Sequence, residues 1–160
     1  MFDATTAQNA KNIYEKICSA LDARKWHYQR DDESLDITFG VNGEDIPMEM
    51  HISVNAERKI VMLISPLNFR VAEDKRLDLA IAVCAVNSLL AEGNFDYDIE
   101  SGTLGFRITQ SYLESDISVR ALDTMISVSC GLTDKFNDKF KAISTGELDV
   151  QRFVEDWFAR

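Results

Sequence analysis

The segment 77–91, LDLAIAVCAVNSLLA, is a helix-length run that is apolar around nearly its whole circumference. A helix that packs against its own core on one side needs a single apolar stripe. Here one stripe comprises Leu77, Ala80, Ile81, Cys84, Leu89 and Leu90, and other faces carry Leu79, Ala82, Val83 and Val86. The helix must therefore be covered on more than one side, either by the rest of the chain or by a second copy of it.

If a second copy or another protein supplies part of that cover, we expect the interaction surface to include Leu79, Val83, Val86 and Asn87. Asn87 is the polar residue within the apolar run. A buried amide can fix one packing register, or it can satisfy the exposed backbone groups at the end of a strand. A partly exposed position without such a role is an equally good interpretation. The sequence leaves the role of Asn87 open.

Composition sets limits on partners and location. The 160 residues suit one domain over 1–160, and the formal net charge is −10. Because binding to phosphate groups relies on clustered Lys and Arg, this charge argues against nucleic acid and anionic membranes as partners. The run 77–91 is too short to span a membrane, and the N-terminus does not resemble a secretory signal. We expect a cytoplasmic protein whose cysteines are reduced and buried: Cys18, Cys84 and Cys130.

The spacing of apolar residues predicts four helices. Apolar positions three, four and seven residues apart are typical of one helix face, and they occur over residues 6–24, 74–92, 118–143 and 147–160. Gly146 ends the third helix, because glycine readily adopts the left-handed conformation found at helix ends. We expect the aromatic-rich last segment to dock as an extra helix on a core of about 13–143.

Alternation of apolar and polar residues predicts strands. Two hairpins are expected, the first from residues 35–41 and 46–54 and the second from residues 95–100 and 104–108. Residues 26–30 are expected to form a short edge strand. Residues 60–64 are apolar on both faces, which predicts a central strand covered on both sides. The fold class is therefore α+β, with an antiparallel sheet of about five to six strands packed against helices in the order α-β-β-β-(β)-α-β-β-α-α.

No constellation of residues points to catalysis or to metal binding. Glu49 and His51 project to one side of a strand, but a metal or acid–base site needs more partners, and His27 is the only other histidine. The run from Asp96 to Glu100 carries oxygen donors at calcium-loop spacing, but the glycine comes one residue late and the final bidentate glutamate is missing. We predict no catalytic residues, no metal and no cofactor.

A family resemblance comes from two neighbouring motifs, VNSLLAEGNFD at 86–96 and SGTLGFR at 101–107. An asparagine-containing apolar helix followed by such a hairpin resembles the YbjN family, described as candidate bacterial sensory transduction regulators with a type III secretion chaperone-like fold. The small size and acidic charge are also similar to those of the secretion chaperones. This resemblance implies a homodimer whose apolar patches hold a partner segment in extended form. The aromatic helix after Gly146 departs from that pattern, in a place where it would cover the open surface of a chaperone.

Two functional hypotheses follow from these features. The first is a non-enzymatic protein-binding or regulatory module that forms a homodimer and binds a further protein. The alternative is a small-ligand sensor with a pocket between sheet and helices. For that pocket, the candidate polar or sheet-face residues are Trp26, Tyr28, Glu49, His51 and Arg107.

Overall fold

The protein is described by a computed structural model over residues 4–159, which contain a six-stranded sheet and four α-helices. The helices are α1 (Ala4–Ala23), α2 (Arg76–Asn87), α3 (Val119–Thr145) and α4 (Val150–Phe158). The strands are β1 (Gln29–Asp31), β2 (Asp36–Val41), β3 (Met48–Asn55), β4 (Ile60–Pro66), β5 (Asn94–Asp98) and β6 (Thr103–Ser111). A single 3-10 turn, Glu73–Lys75, precedes α2. The order of elements agrees with the predicted one, with the fourth strand present.

The sheet is antiparallel throughout, with the strand order β1-β2-β3-β4-β6-β5. The two predicted hairpins are β2–β3, in which Phe39 lies opposite Met50, and β5–β6, in which Phe95 lies opposite Phe106. Strand β4 lies between β3 and β6, so its predicted central position is confirmed. The α+β class and the antiparallel sheet are confirmed as well.

One face of the sheet packs against the helices and forms the core. Ile37, Ile52, Leu63 and Ile108 lie opposite one another on four neighbouring strands, and all four are buried. The helices contribute equally buried residues, among them Ile17 of α1 and Phe140 of α3. Burying each such side chain contributes roughly 1.5–3 kcal/mol relative to leaving it exposed. This one-sided burial explains the alternating pattern of the strands.

The opposite face of the sheet is open. Met62 and Ile64 of β4 point to this face, and both are only half-buried. On the two neighbouring strands, the residues opposite Ile64 are polar: His51 on β3 and Arg107 on β6. The prediction that β4 is covered on both sides is therefore wrong, since the helices that contact the sheet within the described residues pack against the other face.

Two element boundaries differ from the predicted ones because side chains and turns cap the helices. Trp26 lies in the turn that ends α1, where its N–H donates to the Leu21 carbonyl at 3.2 Å and Lys25 adopts a left-handed conformation with φ 57°. The edge strand consequently begins only at Gln29. Helix α2 ends at Asn87 rather than near residue 92, because the Ala85 carbonyl accepts hydrogen bonds from the side chains of Ser88 and Trp157. The predicted end of α3 at Gly146 is confirmed, with φ 79°.

Candidate interaction groove

Helix α2 has a buried side and an exposed side, and both are apolar. Leu79, Val83 and Val86 face the core and are buried. Leu77 and Ile81 remain 70% and 53% exposed, and Cys84 is exposed on the same stripe. Of the predicted interaction residues, Leu79 and Val86 are therefore corrected, because they belong to the core of this chain, whereas Val83 and Asn87 line the groove described below. The expectation that Cys84 is buried is also wrong, because Cys84 lies on the exposed side of α2.

Helix α4 covers a further part of α2. The indole Nε1 of Trp157 donates to the Ala85 carbonyl at 3.1 Å, and the Trp157 ring meets Phe136 edge-on with centroids 5.1 Å apart. The Nζ of Lys135 lies 4.9 Å from the centroid of the same ring. The last segment thus docks as a helix, as predicted. After the core and α4 have covered their sides of α2, the stripe with Leu77, Ile81 and Cys84 remains exposed.

Asn87 connects the end of α2 to the edge of the sheet. Its Nδ2 donates to the Phe95 carbonyl at 2.9 Å, and its Oδ1 accepts the Phe95 N–H at 2.8 Å. In an antiparallel ladder the N–H and C=O of one residue point to the same side, so both Phe95 groups face outward from β5. The side chain therefore acts as a short substitute for a neighbouring strand. Of the interpretations left open by the sequence, the one in which Asn87 satisfies strand backbone groups is confirmed.

A groove of about 850 Å³ runs between α2 and β5. We call it the α2–β5 groove, and its lining includes Ala80, Cys84, Asn87, Tyr97, Ile99 and Arg107. The backbone N–H and C=O of Tyr97 lie two residues beyond those of Phe95 and, by the alternation of the ladder, also face outward. The Tyr97 hydroxyl is buried without a hydrogen-bond partner among the described residues, and burial raises its pKa. The groove thus combines apolar side chains with strand-edge backbone groups.

Charged residues border the groove on the β5–β6 hairpin. The Arg107 guanidinium forms an ion pair with Asp96, in which Nη2 lies 3.1 Å from Oδ1. This hydrogen bond lowers the pKa of the Asp96 carboxyl and raises that of Arg107. At the turn, Asp98 Oδ1 accepts the N–H groups of Glu100 and Ser101. Asp96 and Asp98, from the acidic run of Asp96 to Glu100, therefore form contacts within the β5–β6 hairpin.

The sheet order separates the residues predicted to form a small-ligand pocket. Trp26 packs on Phe39 with ring centroids 5.6 Å apart, and the Tyr28 hydroxyl donates to Asp22 at 3.0 Å, both beside the β1–β2 end of the sheet. Arg107 lies on β6 near the opposite edge. Three strands, β2, β3 and β4, lie between β1 and β6, so a pocket made by Trp26, Tyr28 and Arg107 does not form.

Glu49 and His51 lie together on the open face of β3. The His51 Nε2 and the Glu49 Oε1 are 3.3 Å apart, and both side chains are about half exposed. Over residues 4–159, no group of three or more His, Cys, Asp or Glu side chains is arranged to hold a metal ion. Within the same range, none of the helices has the length and apolar character needed to cross a bilayer.

Comparison with known proteins identifies the architecture. The chain superposes on the crystal structure of YbjN, a candidate transcription regulator from E. coli, with a TM-score of 0.58 over 83% of this chain and 92% of that one. The fold is YbjN-like and chaperone-like. A chain of the HopA1–SchA chaperone–effector complex matches with a TM-score of 0.54 over 86% of this chain and 99% of that one.

Sequence identity in these two superpositions is 10% to YbjN and 15% to the complex, so the likeness concerns the fold. No protein-family model and no curated protein matches the chain. The structural likeness confirms the fold that was expected from the VNSLLAEGNFD and SGTLGFR motifs.

Proposed function

We propose that this chain is a non-enzymatic protein-binding module that uses the exposed stripe of α2 and the adjoining α2–β5 groove. The observation that carries the proposal is the exposure of Leu77 and Ile81 on a helix whose other sides are already covered by the core and by α4. Placing a leucine or isoleucine side chain in an interface contributes roughly 1.5–3 kcal/mol relative to full exposure. A partner that covers this stripe therefore gains hydrophobic stabilisation that the monomer leaves unused.

The first partner we propose is a second copy of the chain. A twofold axis near Ile81 would bring the exposed stripe of one α2 against the same stripe of the other, since a twofold interface uses one patch on both subunits. The net charge of −10 does not oppose this contact locally, because Leu77, Ile81 and Cys84 are uncharged. The regulatory role and the cytoplasmic location expected from the sequence remain parts of this proposal.

The structural neighbours support a protein partner as the class of ligand. One of them is a chain of a chaperone–effector complex, and the other is a candidate transcription regulator. In this chain, the outward-facing backbone of Tyr97 offers an extended segment hydrogen bonds of the kind made in a sheet. A partner segment in extended form is therefore the second occupant we propose for the groove.

The test compares Ile81→Asp with Leu113→Asp, because Leu113 is a similarly exposed apolar residue outside the groove lining. Sedimentation velocity over a concentration series should detect a dimer for the wild type and for Leu113→Asp. For Ile81→Asp, which places a charge in the interface of both copies, we expect dimer affinity to fall by about 100-fold, corresponding to about 2.8 kcal/mol.

Thiol labelling provides an independent readout of the same face. Burial raises the pKa of Cys130 to about 11 and also raises that of Cys18, so fast reaction with a disulfide reagent reports on exposed Cys84. Labelling of Cys84 should slow as the wild type associates and stay fast in Ile81→Asp. An alternative outcome is that the wild type remains monomeric and captures another protein in stoichiometric amount. If Ile81→Asp abolishes that capture and Leu113→Asp does not, the captured protein, and not a second copy, is the partner. Identical behaviour of both variants and wild type would refute the interaction surface.

A further inference from the structure

A stripe of hydrogen-bond donors runs along α3, away from the α2–β5 groove. Thr133, Asn137 and Lys141 follow one another at four-residue spacing, which places them one above the other on one helix face. Thr133 and Asn137 are only 1% and 2% exposed, whereas Lys141 is exposed. Sequence reasoning missed this set, because polar residues at helical spacing ordinarily indicate a solvated face.

The three side chains line a small cavity between α3 and two chain segments that flank the sheet. Residues 46–48 at the start of β3 and residues 66–69 at the end of β4 form its other walls. These segments contribute mainly apolar groups, including Pro47, Leu67 and the ring of Phe69. The cavity measures about 40 Å³, which is far below the roughly 300–1,000 Å³ of sites for drug-sized ligands. It has room for the head group of a small ligand only.

Hydrogen-bonding capacity in the cavity is unused. The Thr133 Oγ1 is buried and has no hydrogen-bond partner among the described residues. The Asn137 Oδ1 accepts the Asp138 N–H at 2.6 Å, while its Nδ2 makes one long bond, 3.4 Å, to the Ile46 carbonyl. The amide therefore retains a second N–H. Buried polar side chains normally have partners, so these two donors point to a ligand.

The charge around the cavity favours an anion. None of the described residues that line it is acidic, although the chain has a net charge of −10. The carboxylates next to the stripe on α3 are engaged elsewhere, since Asp134 accepts the Glu44 N–H at 2.9 Å and Asp138 pairs with Lys139 at 2.9 Å. Lys141 forms no ion pair within residues 4–159, and it stands at the open end of the stripe.

We propose that this cavity is a binding site for a small monocarboxylate group. The Thr133 hydroxyl and the Asn137 amide donate to the two carboxylate oxygens, Lys141 supplies the compensating charge, and Phe69 contacts the carbon attached to the carboxylate. Two sources share this chemistry, a free short-chain carboxylic acid and the C-terminal carboxylate of a polypeptide. The site is separate from the α2–β5 groove and does not depend on the function proposed for that groove.

The test measures thermal unfolding in sodium acetate, in sodium propionate and in sodium chloride at equal ionic strength. A ligand that binds only the native state raises apparent stability in proportion to the logarithm of its concentration. We expect acetate to raise the Tm of the wild type above the value in chloride. Amide chemical shifts of Thr133 and Asn137 should titrate in the same concentration range.

Two variants test the assignment, and a third is the matched control. Thr133→Val keeps the volume but removes the unpartnered hydroxyl, so its stability without acetate should equal or exceed that of the wild type. Its affinity for acetate should nevertheless fall at least tenfold. Lys141→Met, at an exposed position, should lose affinity similarly, while Lys139→Met, which removes a lysine already paired with Asp138, should bind acetate like the wild type.

The source of the carboxylate is tested with the tripeptide Gly-Gly-Ala and its C-terminal amide. Binding of the free acid but not of the amide would assign the site to polypeptide C-termini, and binding of acetate alone would assign it to a free acid. Ile81→Asp should retain acetate binding, which separates this site from the groove. Equal stabilisation of wild type by acetate and chloride, or undiminished acetate binding by both Thr133→Val and Lys141→Met, would overturn the proposal.

Discussion

The two sides of α2 both carry apolar side chains, but one side is buried and the other is exposed to solvent. Leu79, Val83 and Val86 are part of the core, whereas Leu77 and Ile81, on the same helix, remain exposed. Apolar residues in the core determine whether the chain folds, and apolar residues on the surface are available for a partner. The comparison shows that an all-round apolar helix contains two separable functions, and that substitutions can distinguish them.

The largest expected effect comes from truncating one residue on each side of α2. Leu79→Ala removes fully buried methyl groups and should lower the free energy of unfolding by about 2–5 kcal/mol. Ile81→Ala, on the exposed side, should change it by no more than about 0.5 kcal/mol. Urea unfolding followed by tryptophan fluorescence measures both values, at a protein concentration low enough to keep the chain monomeric.

The contrast between the two sides would be broken if the two alanine variants lost similar stability. Such a result would place Ile81 in a covered environment in solution. Repeating the Ile81→Ala measurement at high protein concentration then sharpens the comparison, because a stability that depends on concentration indicates an associated state.

An intermediate effect is expected at the junction of the two sides, where Asn87 contacts the sheet edge. Asn87→Ala removes both hydrogen bonds to Phe95 and should lower the free energy of unfolding by about 1–2 kcal/mol. The backbone amide of Phe95 should exchange its hydrogen with solvent faster in Asn87→Ala than in the wild type. Ser88→Ala is the control, since Ser88 is the exposed neighbour whose hydroxyl bonds only to the Ala85 carbonyl. Unchanged exchange at Phe95 in Asn87→Ala would contradict the bridging role.

The smallest effect concerns the border of the groove, where Arg107 pairs with Asp96. Because the hydrogen bond from Arg107 lowers the folded pKa of Asp96, the pair stabilises the protein above the ordinary aspartate pKa of about 3.9. This contribution is lost as the pH falls through the lowered value. At pH 7, Arg107→Met should be less stable than the wild type by about 0.5 kcal/mol, since partly exposed pairs contribute about 0–1 kcal/mol.

Urea unfolding at pH 7 and near pH 3 checks this expectation. The difference between Arg107→Met and the wild type should shrink at the lower pH and in high salt. A difference that grows on acidification would show that Arg107 acts through packing of its aliphatic part rather than through Asp96.

Much of the fold could be predicted because it follows from local patterns. The alternation in residues 35–41 and 46–54 specifies one hairpin, and the central position of β4 follows from its continuous apolar run. Gly146 ends α3 because its φ of 79° suits glycine. Boundaries that depend on distant partners could not be predicted, as with the end of α2, where Trp157 of α4 binds the Ala85 carbonyl. The division into a family-like core of about 13–143 and an added helix stays a prediction.

The candidate site was predicted in its general character and in some of its residues. The sequence indicated that the 77–91 helix needs cover on more than one side. Of the residues expected on the interaction surface, Leu79 and Val86 lie in the core, whereas Val83 and Asn87 line the groove. The rotation of the helix is tied to Asn87, because that side chain must reach Phe95, and Phe95 becomes its neighbour only when β5 pairs with β6. The cavity at the buried donors Thr133 and Asn137 likewise could not be predicted, because its other walls come from segments distant in sequence.

The amino-acid sequence alone determined the helices, the strands and the order in which they follow one another, because periodicities of 3.6 and 2 are local properties of the chain. Only the tertiary structure decided which stripe of α2 is buried, which strand forms the edge beside it, and which polar side chains of α3 are enclosed. These are long-range outcomes, since each depends on contacts between residues that lie far apart along the chain and that compete for the same side of a helix or strand.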